Sequence, residues 1–333
     1  MAAVRVSVVI DNYNYGRFLG ACVDSVLSQD FPAGDLECIV VDDGSTDESR
    51  AVLARYGSRI KAVLKPNEGQ ALTFNRGFAE ATGEVVCCLD SDDVWLPGKV
   101  RRVVEAFEAN PEAGVVQHYL REVDSSLNPL PQELPAWPER LTLEQFLAGG
   151  AIFTATTGLA YRKKYLDKVL PIPAELFYYL DDFLTVGVLF QAPGVNVSEV
   201  LGWHRIHGNN FCAEGYWNTR KLKTDFRMRV IFRECLDRWL AAYGKRLDPR
   251  YDRLESLELA RREILYHMQE GRRVEAAAAW RRGLARAGFD RFGLFRMLTA
   301  GLALFSPRLY MSVYERYKRS NAAKTLRRRL LPA

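Results

Sequence analysis

Val85-Val86-Cys87-Cys88-Leu89-Asp90-Ser91-Asp92-Asp93 is an apolar run of strand length that stops abruptly on a cluster of carboxylates. A continuous apolar run without alternation marks a strand covered on both faces. Upstream, Leu36–Val41, apolar but for Glu37, is a second strand and ends on Asp42-Asp43-Gly44-Ser45, and Val4–Ile10 is a third, rich in β-branched residues, followed by Asp11-Asn12-Tyr13-Asn14. Helical spacing recurs in Phe18–Leu27, Thr46–Tyr56, Ala71–Ala81 and Lys99–Ala109, the last stopped by Asn110-Pro111. Short strands are expected at Ile60–Leu64 and Gly114–Tyr119. This β-α-β-α rhythm predicts an α/β fold with a mostly parallel, doubly wound sheet flanked by helices.

Further along, Asn128–Pro138 carries four prolines and is expected to be a surface loop, and residues 143–190 hold mixed elements. The character changes near Tyr216. Leu222–Tyr243, Leu254–Gln269, Val274–Ala287 and Phe292–Phe305 all have helical patterns. The expected organisation is a sheet domain over residues 1–215 and a C-terminal α-helical region over 216–333.

In an open α/β sheet, ligands bind beyond the carboxyl ends of the strands. The clusters Asp42-Asp43 and Asp90-Ser91-Asp92-Asp93 would therefore converge on one rim. Crowded carboxylates raise each other's pKa values unless a cation neutralises them. Mg²⁺ and Mn²⁺ take carboxylate oxygens and complete their shells with substrate phosphates. The pattern thus points to a phosphorylated ligand held through a metal. Neither G-x-x-x-x-G-K-[ST] nor G-x-G-x-x-G occurs, so the site is neither a P-loop nor a dinucleotide fold. Turn and helix-capping chemistry explains either cluster alone; the two together, each behind a buried strand, favour a site. A phosphatase with an aspartate nucleophile would need its acids on the first strand, which ends differently here.

Five segments share one further property. Val6-Ser7-Val8-Val9-Ile10 with Tyr13-Asn14, Ser25-Val26-Leu27-Ser28-Gln29, Val40-Val41-Asp42-Asp43-Gly44-Ser45-Thr46-Asp47, Asn75-Arg76-Gly77 with Ala81-Thr82-Gly83-Glu84, and Leu89-Asp90-Ser91-Asp92-Asp93 follow one another over residues 4–100. In that order and spacing they resemble a family 2 glycosyltransferase with the GT-A fold, and a weaker likeness continues to about residue 212. The resemblance implies that Asp11 and Tyr13 line a nucleotide pocket, Tyr13 near the base. It implies that Asp43, with Asp42 beside it, hydrogen-bonds the base, that Asp90 and Ser91 lie near the ribose, and that Gln70 and Asn75 organise the pocket wall. Asp92 would bind the metal on the donor diphosphate, with Asp93 as a second contact. Position 11 departs from the proline frequent in the family.

The same resemblance extends to two later segments. Leu180-Asp181-Asp182-Phe183 is similar to the acidic pair that supplies the family's catalytic base, with Asp181 where glutamate is usual; Asp182 is the first choice for the base and Asp181 the second. On residue chemistry alone, the pair could equally favour the positive end of the helix it starts. Arg205-Ile206-His207-Gly208-Asn209-Asn210 resembles a family segment whose histidine reaches the metal or diphosphate, which points to His207, with Arg205 offsetting phosphate charge. The activity implied is inverting transfer from a nucleotide sugar, UDP-sugar first, assisted by Mg²⁺ or Mn²⁺. The acceptor would be a saccharide or lipid-linked saccharide in bacterial surface polysaccharide or glycoconjugate synthesis.

Composition limits the remaining choices. The chain has 333 residues, 48% of them hydrophobic, enough to bury a full core. Its net charge of +5 is uneven: Arg291–Ala333 holds ten basic residues against Glu315 alone, so the rest of the chain is mildly acidic. Six cysteines show no paired or zinc-like spacing, which suits a reducing, cytoplasmic setting. Met1 leads almost directly into a strand, so no signal peptide is expected, and no stretch approaches the ~20 apolar residues of a membrane span. The basic C-terminal end invites peripheral contact with the inner face of an anionic membrane, or it is a solvated tail on helices that pack elsewhere. Nucleic-acid binding is not expected, since no aromatics interleave with the basic residues. Two rivals stand beside the transferase. A sugar-phosphate nucleotidyltransferase would carry a glycine-rich basic loop where Asp11–Phe18 has one glycine and Arg17, and a non-catalytic sugar-nucleotide-binding module would tolerate loss of acids that are all present here.

Overall fold

A computed structural model describes residues 5–176, 179–208, 210 and 219–319. Cys212, Asn209 and the end of the basic tail beyond Arg319 lie outside the described residues. The chain forms two compact units: residues 1–143 with 152–213, and residues 144–151 with 214–333.

The first unit contains, in order, β1 (Val6–Asn12), α1 (Gly16–Leu27), β2 (Leu36–Asp43), α2 (Ser49–Ala54), β3 (Lys61–Lys65), α3 (Gln70–Glu80), β4 (Val85–Asp90), β5 (Val94–Trp95), α4 (Lys99–Ala109), β6 (Val115–Val123) and β7 (Arg140–Leu141). The short α5 (Leu143–Leu147) follows at the border of the units, then β8 (Leu159–Arg162), α6 (Lys163–Leu166), α7 (Leu180–Leu189) and β9 (Gly194–Arg205). One mixed, mostly parallel sheet runs in the order β3-β2-β1-β4-β8-β6-β9-β5, with β7 paired to β9. β1, β2, β3 and β4 are parallel neighbours, β3 being the exposed edge strand Lys61–Lys65. Successive residues Val6–Ile10 are all buried, so both faces of β1 are covered. The antiparallel β8 sits between β4 and β6, and β6 pairs in parallel with β9. The C-terminal end of β9 therefore reaches the same rim as the ends of β1 and β4.

Close packing of α3 on the sheet depends on Gly77. A Cβ there would lie 2.3 Å from Val9 Cγ1 and 3.3 Å from Val41 Cγ2, both in the sheet interior. Such overpacking costs about 1–3 kcal/mol. Gly77→Ala is expected to lower the thermal midpoint by about 2–4 °C per kcal/mol lost, which a differential-scanning melt would read.

The second unit holds α8 (Thr219–Ala242), α9 (Pro249–Gln269), α10 (Arg273–Ala287), α11 (Arg291–Phe305) and α12 (Pro307–Arg319). Asp248 caps α9 by accepting from the amides of Arg250 and Tyr251, with Pro249 at the first helical position. Small residues let α9, α10 and α11 approach closely: Ala260, Ala276, Ala279, Ala300 and Ala303 are buried together with Leu257, Ile264 and Met297. Within this core Glu258 is buried beside Arg261 and Arg296. Burial opposes its charge, but the guanidinium groups win and hold the carboxyl down at about 2.

Candidate active site

Parallel pairing of β1 and β4 puts Asp11 directly opposite Asp90 at the carboxyl rim. Each acid buries one oxygen, Oδ1, at this contact. Asp11 Oδ2 accepts from Gln70 Nε2 at 2.9 Å, which brings α3 to the rim. Burial pushes Asp11 up to about 6, against the Gln70 bond. It lifts Asp90 well above the ordinary carboxylate range, and the charges of Asp11, Asp93 and Asp92 add to the effect. The two half-buried acids face and hydrogen-bond each other, with Asp90 on the side that keeps the proton, so the rim holds a proton-sharing carboxyl pair.

After β4 the chain turns tightly, the Asp93 amide donating to Asp90 O at 3.0 Å, and enters β5, which pairs with the end of β9. This turn aims Asp92 at the loop that follows β9. His207 Nε2 lies 3.0 Å from Asp92 Oδ2, and Asn210 Nδ2 donates to the same oxygen at 3.4 Å. Tyr15 packs edge-on to the His207 ring at 5.4 Å and Phe18 packs against it at 4.9 Å. Residues three apart at the start of α1 thus fix the imidazole. Arg205 Nε donates to Asp92 O at 2.6 Å, and its guanidinium lies 4.5 Å over the Phe18 ring. Burial and then Asp93 push Asp92 up to about 6, partly offset by its bond to His207.

Asp93 has a different environment from Asp92. It is fully buried, accepts from the Thr157 hydroxyl, takes the Arg205 amide at 2.8 Å, and faces His204 Nδ1 at 3.2 Å. Burial disfavours a charged His204, yet the Asp93 carboxylate beside it lifts the imidazole to about 9. Asp93 therefore ties β4, β8 and β9 together, while Asp92 and His207 form the pair at the rim. Among the described residues no three His, Cys, Asp or Glu side chains converge to hold a metal ion.

On the far side of β1 the acids are fully engaged. Asp42 accepts from Asn12 Nδ2 at 2.8 Å and from the Ser45 amide at 3.2 Å, with Arg50 Nε at 3.4 Å. Asp43 takes the amides of Glu68 and Gly69 at 2.9 and 2.8 Å and pairs with the Lys65 ammonium. It thereby fixes the loop into α3, where Gly69 has φ +93°. Gly44, at φ +73°, lets that loop approach so closely that a Cβ would lie 2.6 Å from the Asn67 nitrogen. Asn75 donates to Ile172 O at 2.8 Å and accepts from the Ile172 amide at 2.9 Å, so its amide closes a backbone-like bridge. Ser91 is buried in the turn, whereas Tyr13 is 47% exposed and stands over the rim with its ring accessible for stacking.

Asp181 and Asp182 open α7, in its acidic first turn. Asp181 Oδ1 accepts from the Asp182 amide at 3.1 Å. Both are partly buried, and burial followed by the charge of Asp182 pushes Asp181 up to about 7. Their charges also help raise the Tyr161 hydroxyl on β8, so the pair stands within electrostatic reach of the strand beside β4.

The model of glycosyl transferase family 2 matches residues 7–170. A Bacillus subtilis glycosyltransferase, TuaG, named for a role in teichuronic acid biosynthesis, is 39% identical over 236 residues, covering 68% of this chain and 88% of that protein. The chain belongs to glycosyl transferase family 2. An uncharacterised glycosyltransferase of Nostoc is 39% identical over 215 residues, 62% of this chain. The alignments span 66% of the Nostoc protein and 63% of a related Mycobacterium bovis protein, just under two thirds of their lengths. Staphylococcus aureus TarS residues 1–349, solved with UDP-GlcNAc, superposes with a TM-score of 0.59 at 18% identity, covering 86% of this chain and 93% of that one. A Pyrobaculum calidifontis mannosyltransferase solved with GDP-Man and Mn²⁺ gives 0.55 at 21% identity, covering 98% and 88%. The fold is the GT-A fold.

Within this family 2 chain, sequence reasoning overlooked Tyr15, Phe18 and Asn12. The only signal for the first two was their spacing at the start of α1. Asn12 lies on β1 opposite Asp42, and its role follows from strand register. Thr157 carried no signal, because nothing local marks a residue whose partner, Asp93, is on another strand's turn.

Proposed function

We propose that this chain is an inverting glycosyltransferase that moves a sugar from a nucleoside-diphosphate sugar, UDP-sugar first, to an acceptor hydroxyl. Residues 1–215 would be the catalytic domain and 216–333 the helical region. The observation that carries the reading is the pair of half-buried acids facing each other at the rim, Asp11 and Asp90, both raised above the ordinary carboxylate range, next to Asp92 fixed by His207. A divalent cation fits these groups: Asp92 and His207 are ligand types it accepts, and a cation held by one or two protein groups completes its shell with donor phosphates. The TarS and mannosyltransferase structures hold UDP-GlcNAc and GDP-Man with Mn²⁺, which supports a nucleotide-sugar donor and Mg²⁺ or Mn²⁺ here.

In this reading Tyr13 stacks on the base, Asp11, Asp42 and Asp43 with Gln70, Asn75 and Ser91 shape the nucleotide pocket, and Asp90 meets the ribose. Asp92 and His207 hold the metal, with Asp93 keeping Asp92 in place. The bound metal neutralises charge on the departing diphosphate. Arg205 adds positive charge beside it. Asp182 accepts the acceptor's hydroxyl proton as the new C–O bond forms. The bond from the anomeric carbon to phosphate breaks with its electron pair on the nucleoside diphosphate, and attack from the opposite side inverts the configuration. Asp181 is the neighbour that tunes Asp182. The acceptor class favoured is a saccharide or lipid-linked saccharide, met in the cytoplasm or at the inner membrane face through peripheral contact of the C-terminal region. No described helix is long and apolar enough to cross a membrane.

Calorimetric titration with UDP, GDP and dTDP, with and without Mn²⁺, tests this. Wild type is expected to bind one nucleotide in a Mn²⁺-dependent way, and Asp92→Ala to weaken that binding at least tenfold, about 1.4 kcal/mol. Folded wild type that binds none of the three would instead support the non-catalytic module.

A further inference from the structure

Helix α11 turns Met297, Ala300 and Ala303 into the core of its own unit. Positions 291, 295, 298, 302 and 305 repeat at steps of four and three, so they share one face on the other side. That face carries Arg291 and then Phe295, Leu298 and Phe305 exposed, with Leu302 at its edge, half-buried against the core of the unit. Leu298 is 60% exposed and Phe305 86%. A surface helix ordinarily turns charged residues outward; this one is apolar on both sides. Ser306 alone separates it from α12, which adds Leu309 and Val313 to the exposed apolar side chains. Arg291, Arg308 and Arg316 are exposed among them. The whole stretch Arg291–Ala333 holds ten basic residues and one acid.

We propose that this outward face of α11 docks on an anionic lipid bilayer, with Phe295, Leu298 and Phe305 entering the headgroup boundary and the basic residues meeting lipid charge. The proposal deepens the membrane-contact part of the reading above and is independent of the donor site. Fifteen residues make a helix of about 22 Å, short of the ~30 Å hydrocarbon core. The helix therefore lies in the plane of the interface, as amphipathic basic helices do. Charge selects the bilayer over a second copy of the chain. A two-fold contact would set the same patch against itself and bring two strongly basic segments together. The hydroxyl of Thr299, next to the face, is bonded to its own helix, at 2.9 Å to Phe295 O and Arg296 O, which leaves the row without a polar group to set register with a protein partner.

Co-sedimentation of the full chain with vesicles tests the proposal, using phosphatidylcholine alone or with about one third phosphatidylglycerol, beside Leu298→Ser/Phe305→Ser. Wild type is expected to bind the anionic vesicles, less at high salt, and the double variant to bind at least tenfold more weakly with an unchanged thermal melt and unchanged nucleotide binding. Equal binding by wild type and variant would overturn the role of the α11 face and leave charge alone as the attraction. Wild type that ignores both vesicles while still binding nucleotide would overturn the membrane contact and leave the donor-site reading intact. A dimer in light scattering that the double variant dissociates would assign the face to a second copy and overturn the proposal as well.

Discussion

Replacing Asp182 with asparagine is expected to slow sugar transfer by about 10²–10⁴-fold while leaving nucleotide affinity near that of wild type. An acceptor hydroxyl is a poor nucleophile at neutral pH, and loss of the group that takes its proton acts on the chemical step, so kcat falls rather than the nucleotide affinity. Asparagine keeps the shape and the α7 start. The neighbour makes the result diagnostic. Burial and the Asp182 charge push Asp181 up to about 7, so Asp181 is protonated below that pH. Were Asp181 the base, wild-type kcat would decline on the acid side through about pH 7 and Asp181→Asn would lose the rate. With Asp182 as base, no break at that value is expected and Asp181→Asn should keep much of the rate. The opposite outcome, with Asp181→Asn inactive and Asp182→Asn nearly normal, would exchange the two roles. Rates for donor consumption across pH 5–9 in the three proteins would decide it.

Asp90→Asn is expected to make the protein more stable and to weaken nucleotide binding. Asp90 is raised well above the ordinary range by burial and by Asp11, Asp93 and Asp92. A carboxyl whose folded pKa lies above its unfolded value keeps a proton in the native state that the unfolded chain releases, so its contribution to stability falls as pH rises above about 3.9. Asparagine has no such proton. The variant should melt higher than wild type at pH 7.5, each kcal/mol gained being worth about 2–4 °C, and the difference should shrink towards pH 4. Melts of apo protein at the two pH values, with calorimetry on the same samples, would test both halves. A variant that melts no higher at pH 7.5 would mean that Asp90 is ionised and compensated in the folded chain. Stability lost to a site that works only when loaded is a familiar feature of functional residues.

The parallel half of the sheet and its acidic rim were legible in the chain because their causes are local. The apolar runs at 38–41 and 85–89 mark strands covered on both faces, and a strand end is where a polar ligand site belongs. The helical character of 222–305 was legible for the same reason. β9 was not: Gly194–Arg205 mixes Asn196, Ser198, Glu199 and two glycines with its apolar residues, and its pairing with β6 shifts register around Tyr119. That strand matters most for the site, since it carries His207 and Asn210 to Asp92 across more than a hundred residues.

Sequence by itself determined that the sheet is mostly parallel, where acids collect and which family the motifs resemble. Tertiary structure alone decided how the acids differ from one another. Asp92 and Asp93 are adjacent and chemically identical, yet one faces His207 at the rim and the other is locked among Thr157, His204 and Arg205. Asp43 and Asn75, expected to line a pocket, have their polar atoms bonded to backbone. The physical reason is that a carboxylate's role depends on its burial and on the donors around it, and those donors arrive from distant strands whose order is set only when the sheet closes.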